Sequence, residues 1–348
     1  MERLERVLVF DCRSYTAFYR FLSLRSRYFK QYSYVVIVFP ECLDQSLLAN
    51  WTCSDKRVIF KQLPVNADDI SCLKFGITRL ADFFGELSSD ESQVDFLTSF
   101  PRGVLYFVVY SLTLNHKDVK IFCLDDGFAN SLATNYERPS HIGKRIKFFL
   151  LGMSVDLAIV KFLGYFNLAP VDRFFTVYGE AVPPCFADIC VDVSSLYASY
   201  YRKISKTFEV CNDSVLLLGH HAVQSKRLSK HQYEKLILKA VHKYLGSNNI
   251  FVSSHHAERK ENAEFYESLG LRDEMAFLPA EVLVASGCFS VVIAPFNTTL
   301  IECAKLGLVA EIKKFVGYVI PGSDLIEERM CQTKSVCERS GISFSVVR

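Results

Sequence analysis

The chain has 348 residues, half of them hydrophobic, enough to fill two buried cores, so two domains are expected. Its 40 Lys and Arg against 38 Asp and Glu leave a formal charge of +2, which excludes a global basic field of the kind that binds nucleic acid; a nucleotide would need a local site. Twelve cysteines are scattered without a CxxC pair, several inside apolar runs, a pattern of small buried hydrophobes in a reducing compartment rather than a disulfide frame or a zinc site.

The opening MERLERVLVFDCRS lacks a long apolar region and a small-residue cleavage site, and no run of about eighteen uncharged apolar residues occurs, so a soluble cytoplasmic protein is expected. Arg6 to Phe10 and Tyr34 to Phe39 are short, β-branched and apolar on both faces, as parallel strands covered by helices should be. Helices are predicted over Ser14 to Arg27 and Ala67 to Leu87, with a third strand over Lys56 to Phe60 ended by Pro64. Val104 to Leu114 is apolar throughout and too short to cross a bilayer; a buried helix is favoured over a strand.

Val119 to Asn130, VKIFCLDDGFAN, is a strand-length apolar run that stops at two adjacent carboxylates, Asp125 and Asp126, with Gly127 behind them. Acid at the carboxyl end of a buried strand is where open α/β sheets place ligands, although Asp-Gly is also ordinary turn chemistry. One carboxylate can face a ligand while the other is held by backbone N–H groups. Strand alternation sends the two side chains opposite ways, and Asp126 is favoured as the reactive one.

From Arg138 to Asp172 a basic stretch, HIGKRIK, runs into an apolar, aromatic one. Two readings stand: a helix pair inside the first domain, or a surface element at 141–168 that dips into anionic headgroups. Phe174 to Gly179 returns as a strand. A first domain over 1–185, with Pro183 and Pro184 near its end, is followed by a linker over 186–212, with a helix at Ser195 to Ile204, and by a second domain over 213–348.

The second domain repeats the pattern. Ser214 to Gly219 is a strand stopping at His220 and His221, Ser229 caps a helix running to Leu245, and Asn249 to Ser253 is a strand ending at Ser254, His255 and His256. Ser290 to Ala294 is a strand ending before Asn297, Thr298 and Thr299, with a helix from Leu300 to Lys305 behind it. Val309 to Ile312, a helix over Leu325 to Glu338 and a last strand over Ile342 to Val347 complete the sheet. Two doubly wound α/β domains, both Rossmann-like and facing across a cleft, give the GT-B architecture as the expected fold class.

Asp125-Asp126-Gly127, then Phe251-Val-Ser-Ser-His255, then Asn297-Thr298-Thr299-Leu300 resemble, in order, the three motifs of bacterial GT-B sialyltransferases of the lipooligosaccharide sialyltransferase and polysialyltransferase type: an acidic pair with Gly, a His-Pro and a Ser/Thr pair. LLLGHHAVQ at the start of the second domain and Phe277-Leu-Pro-Ala-Glu281 are also similar to that group. His256 stands where the family has proline, so the two imidazoles could exchange roles. The resemblance implies transfer of sialic acid or a related nonulosonic acid from a CMP donor to a hydroxyl of a bacterial surface glycan. It implies an acidic general base (Asp126 or Asp125), with His255 and the hydroxyls of Thr298 and Thr299 on the phosphate. Gly219, His220 and His221 are then expected near the nucleotide. Glu281 either caps a helix or accepts from a ribose hydroxyl.

Charge collecting on a departing phosphate is stabilised by imidazolium and by N–H and O–H donors at a helix start, and the attacking hydroxyl needs a base. None of the clusters has metal-ligand spacing, so no cofactor or metal is expected beyond the donor itself. The partners expected are a CMP-activated sugar and an oligosaccharide acceptor, with peripheral contact to the inner membrane through 141–168 under the second reading of that stretch. The rivals are a GT-B transferase with CMP-Kdo or a UDP-sugar, and a non-catalytic glycan- or nucleotide-binding protein of a capsule assembly.

Overall fold

The structure is a computed structural model that describes residues 5–12, 14–40, 43–51, 57–63, 92–99, 119–125, 171–179, 182, 184–207, 213–246, 249–255, 259–271, 278–296, 299–321 and 326–348. The chain divides into two compact units, Met1–Val193 and Ser194–Arg348.

The first unit is built on seven parallel strands: β1 (Glu5–Asp11), β2 (Tyr34–Pro40), β3 (Val58–Leu63), β4 (Ser92–Thr98), β5 (Ile121–Leu124), β6 (Arg173–Thr176) and β7 (Cys190–Asp192). Their order is β3-β2-β1-β4-β5-β6-β7, so the winding reverses between β1 and β4. Helix α1 (Tyr15–Tyr28) starts where the Ser14 hydroxyl accepts from the Ala17 N–H at 3.0 Å. Residues 17, 18, 21 and 24 form a stripe at helical spacing, and that stripe is buried. Below it Phe29, Phe122 and Phe175 meet edge to face or tilted, with centroids 5.6–6.4 Å apart. A short α2 (Gln45–Trp51) precedes β3.

Strand β4 was not expected from the sequence. Asp95 interrupts its apolar run, yet it is fully buried, accepting from the Tyr32 hydroxyl and from the Lys120 N–H at 2.9 Å. A carboxylate with two donors is tolerated mid-sheet where an unpaired one would not be. The segment expected as linker carries β7 of the first sheet and then α3 (Ser194–Ser205) of the second unit, with the contact boundary between Val193 and Ser194. The expectations for 67–87, 104–114 and 141–168 lie outside the described residues.

The second unit has β8 (Ser214–Leu218), α4 (Lys230–Val241), β9 (Ile250–Ser253), α5 (Arg259–Ser268), α6 (Ala280–Ala285), β10 (Phe289–Pro295), α7 (Thr299–Lys305), β11 (Lys314–Tyr318), α8 (Ile326–Arg339) and β12 (Ser343–Val347). Its five parallel strands run β12-β11-β10-β8-β9, with the winding reversing between β8 and β10. The Ser229 cap is a full capping box, with Gln232 answering from the third helical position. The strand expected at Val309 to Ile312 is a turn; the strand itself is β11, five residues further on. Leu308, Val309 and Ile312 owe their apolar character to burial beneath that turn.

Gly317 in β11 is required by a close approach. The Phe296 ring, just past the end of β10, lies flat enough on the sheet that a Cβ at 317 would sit 2.1 Å from a ring carbon. Among the described residues no helix is long and apolar enough to cross a membrane.

Candidate functional site

In the first unit the tips of β1 and β4 carry buried Asp11 and Thr98, hydrogen-bonded at 3.3 Å, and the tip of β5 carries the expected acid. Asp125 is fully buried, and both carboxylate oxygens are engaged. Oδ1 pairs with the Arg20 guanidinium at 2.7 Å, and Oδ2 accepts from the Thr176 hydroxyl at 2.7 Å and the Val177 N–H at 2.9 Å. Arg20 also donates to the Asp125 carbonyl, and the Asp125 N–H donates to Phe175 O at 3.0 Å. Arg20 itself is 0% exposed, turned inward from the buried side of α1.

A carboxylate so enclosed has no face left for a substrate hydroxyl. Asp125, expected as one of two candidate bases, is therefore a positioning group: it welds the end of β5 to β6 and to α1. Asp126 and Gly127 lie outside the described residues.

In the second unit the tips of β8 and β9, beside the reversal of winding, bring three imidazoles together. The rings of His220 and His221 stack at 4.4 Å and 15°, and His221 lies 4.5 Å from His255, with His220 to His255 at 6.5 Å. Three tyrosines fix this tip. Tyr318 from β11 donates to Leu218 O at 2.5 Å, while the Tyr233 hydroxyl from α4 accepts from the His220 N–H at 3.0 Å and bonds the Tyr266 hydroxyl of α5 at 3.2 Å. Gly219 donates to Ser253 O at 2.9 Å, tying the start of the His loop to β9. The loop then coils on itself, Ala222 N–H to His220 O at 2.8 Å and Ser225 N–H to His221 O at 2.9 Å, and returns Arg227 toward the rings.

The electrostatics follow from that packing. Burial, then the neighbouring His221, Arg227 and Arg329, push the His220 imidazole down to about 3. Burial and Arg227 also lower His221. Arg329, from α8, is itself lowered by burial and by Arg227, with Glu328 opposing. At neutral pH both rings are uncharged, and the Nδ1 atoms of His220 and His221 are buried with no hydrogen-bond partner among the described residues.

Of the other expected residues, Ser254 is buried at the end of β9 and Thr299 opens α7. Glu281 sits in the first turn of α6, 6% exposed, behind Pro279, which makes no side-chain cap. With Glu302 of α7 it raises the Cys303 thiol after burial has done so, which places two buried carboxylates around one sulfur. His256, Asn297 and Thr298 lie outside the described residues. Arg20, Arg227, Arg329 and Glu302 were not singled out from the sequence; a lone cation on an amphipathic helix or in a loop carries no motif. Among the described residues no group of three or more His, Cys, Asp or Glu has the geometry to hold a metal ion.

No family model matches the chain, and no curated protein matches it in sequence. Solved structures do. An α/β-galactoside α-2,3-sialyltransferase from Photobacterium phosphoreum is similar over 98% of both chains, with 11% identity and a TM-score of 0.52. Arabidopsis thaliana UGT89C1, solved with UDP-L-rhamnose, is similar over 99% of this chain and 86% of its own at 13% identity and 0.54. A Listeria monocytogenes protein described as a putative UDP-N-acetylglucosamine 2-epimerase is similar over 96% and 87% at 12% identity and 0.53. With seven- and five-stranded parallel sheets in two Rossmann-like units, the fold is GT-B.

Proposed function

We propose that the chain is an inverting glycosyltransferase that moves sialic acid, or a related nonulosonic acid, from its CMP donor to a hydroxyl of a bacterial surface glycan. The observation that carries this reading is the imidazole cluster at the tips of β8 and β9, beside the point where the second sheet reverses its winding. The order of the acidic, histidine and threonine motifs along the sequence supports it, as does the likeness in fold to a sialyltransferase.

In this mechanism the acceptor oxygen attacks the anomeric carbon as the bond from that carbon to the CMP phosphate oxygen breaks. The bonding pair leaves with CMP, and the acceptor proton passes to Asp126. Asp125, locked by Arg20 and Thr176, anchors the chain at the residue before Asp126. His255, with Thr298 and Thr299 at the start of α7, stabilises the negative charge that collects on the leaving phosphate. The acceptor is a lipid-linked or surface-bound oligosaccharide met at the cytoplasmic face of the inner membrane, with 141–168 as the segment that contacts the bilayer.

A second reading, a UDP-sugar donor, draws on the likeness in fold to UGT89C1 with its UDP-L-rhamnose. A thermal-shift panel of CMP, UDP and GDP separates the two: CMP alone raising the unfolding midpoint supports the first, UDP alone the second. Asp126→Ala abolishes transfer while leaving CMP binding and stability unchanged; turnover retained in that variant removes Asp126 as the base.

A further inference from the structure

The His220–His221 pair is built in a way that neither packing nor catalysis by His255 explains. Two stacked rings are held at a strand tip by tyrosines from three elements, and each keeps a buried Nδ1 without a partner. A buried polar nitrogen left unpaired costs stability unless something repays it on binding. The charged groups acting on the pair are Arg227 from the same loop and Arg329 from α8; on the neighbouring elements the other titratable groups are His255 after β9, Tyr233 on α4, Tyr266 on α5 and Tyr318 on β11. Glu328 acts on this set through Arg329.

We propose that His220, His221, Arg227 and Arg329 form a proton-coupled anion receptor, in which a phosphate-type dianion binds and one proton is taken up from solvent by the imidazole pair. The two guanidiniums supply fixed charge; the rings supply charge on demand. Without an anion, burial keeps the rings neutral, helped by Arg227 at both and by Arg329 at His220. A dianion cancels the arginines' field and accepts from a protonated ring, so the proton that was unfavourable becomes part of the binding interaction. Departure of the anion returns the proton to water. The step is acid–base only, and its balance is one proton in with the anion and one out. It rests on the transferase reading only for what carries the phosphate.

Sulfate is the probe for the intact chain, because it stays a dianion across the pH range used and any pH dependence belongs to the protein. Isothermal titration between pH 8 and 6 should show sulfate affinity rising by up to about tenfold per pH unit on acidification, the limit for one coupled proton. Repetition in buffers of different ionisation enthalpy should count close to one proton taken up. A His220→Asn/His221→Asn variant, with its fold checked by circular dichroism, should lose that slope. Arg227→Gln and Arg329→Gln should weaken binding at every pH while keeping it. Affinity independent of pH, no proton uptake, a slope that survives the double Asn variant, or no sulfate binding by folded protein each overturns the receptor. A parallel proton count with CMP and UDP separates this inference from the transferase reading. Sulfate bound with uptake but neither nucleotide bound leaves the receptor standing and removes the nucleotide; a nucleotide bound without uptake does the reverse.

Discussion

The tips of β5 and β8 are both polar ends of buried strands, and they are finished in opposite ways. At β5 every oxygen of the Asp125 carboxylate has a donor and the charge has a guanidinium beside it. At β8 two imidazole nitrogens are buried without a hydrogen-bond partner among the described residues, and the charges acting on His220 are cationic. Polar groups that are saturated hold a fold together, and those left unsaturated in a well-braced frame are what a ligand completes. An acid and a histidine can thus look equally functional in sequence while one is enclosed by donors and the other keeps an unpaired ring nitrogen.

Breaking the saturated tip should have the largest effect. Arg20→Met leaves Asp125 as a buried unpaired carboxylate and should lower unfolding stability by about 3–5 kcal/mol in denaturant melts. An unchanged midpoint would mean that the β5 tip is not saturated in solution. Next comes the frame around the other tip. Gly317→Ala drives a methyl into the Phe296 ring. It should cost about 1–3 kcal/mol and weaken nucleotide binding, because Phe296 leads into the Thr298–Thr299 segment. Equal affinity in the two proteins would detach that segment from the ring.

The most gradual effect, smallest per step, is the pH dependence of the β8 tip. His220 has a lower value folded than unfolded, so as pH falls the unfolded chain takes up the proton first. The stability carried by the neutral ring is complete above about 6.5 and drains toward pH 3, at no more than about 1.4 kcal/mol per pH unit. Denaturant melts from pH 7.5 to 5 should show this decline, and His220→Asn should flatten it; equal slopes in the two proteins remove His220 as its source.

How much of this was legible in the sequence follows from the kind of signal each part leaves. Apolar strands β1, β2, β8 and β10 announce themselves because burial on both faces demands uninterrupted runs. Strand β4 hides behind Asp95, whose partners Tyr32 and Lys120 come from distant segments. Strand β11 is masked by two lysines at its start and a glycine in its middle, while the turn before it mimics a strand through Leu308, Val309 and Ile312. The histidines could be found because pairs at strand ends are conspicuous. Arg227 and Arg329 could not, since they meet the rings only after a coiled loop and the second-to-last element have packed. That Asp125 is enclosed by Arg20 and Thr176 was likewise beyond reach until Arg20 was seen to face inward.

The clasp between Arg20 and Asp125 joins residues 105 positions apart. During synthesis the first helix is made long before the strand that neutralises its cation, so an early collapse of α1 onto β1 would trap a bare guanidinium in oil. The first sheet is thus completed by contacts of long sequence separation, a topology that slows folding and leaves the amino-terminal half to be finished only once the chain through Val177 is available.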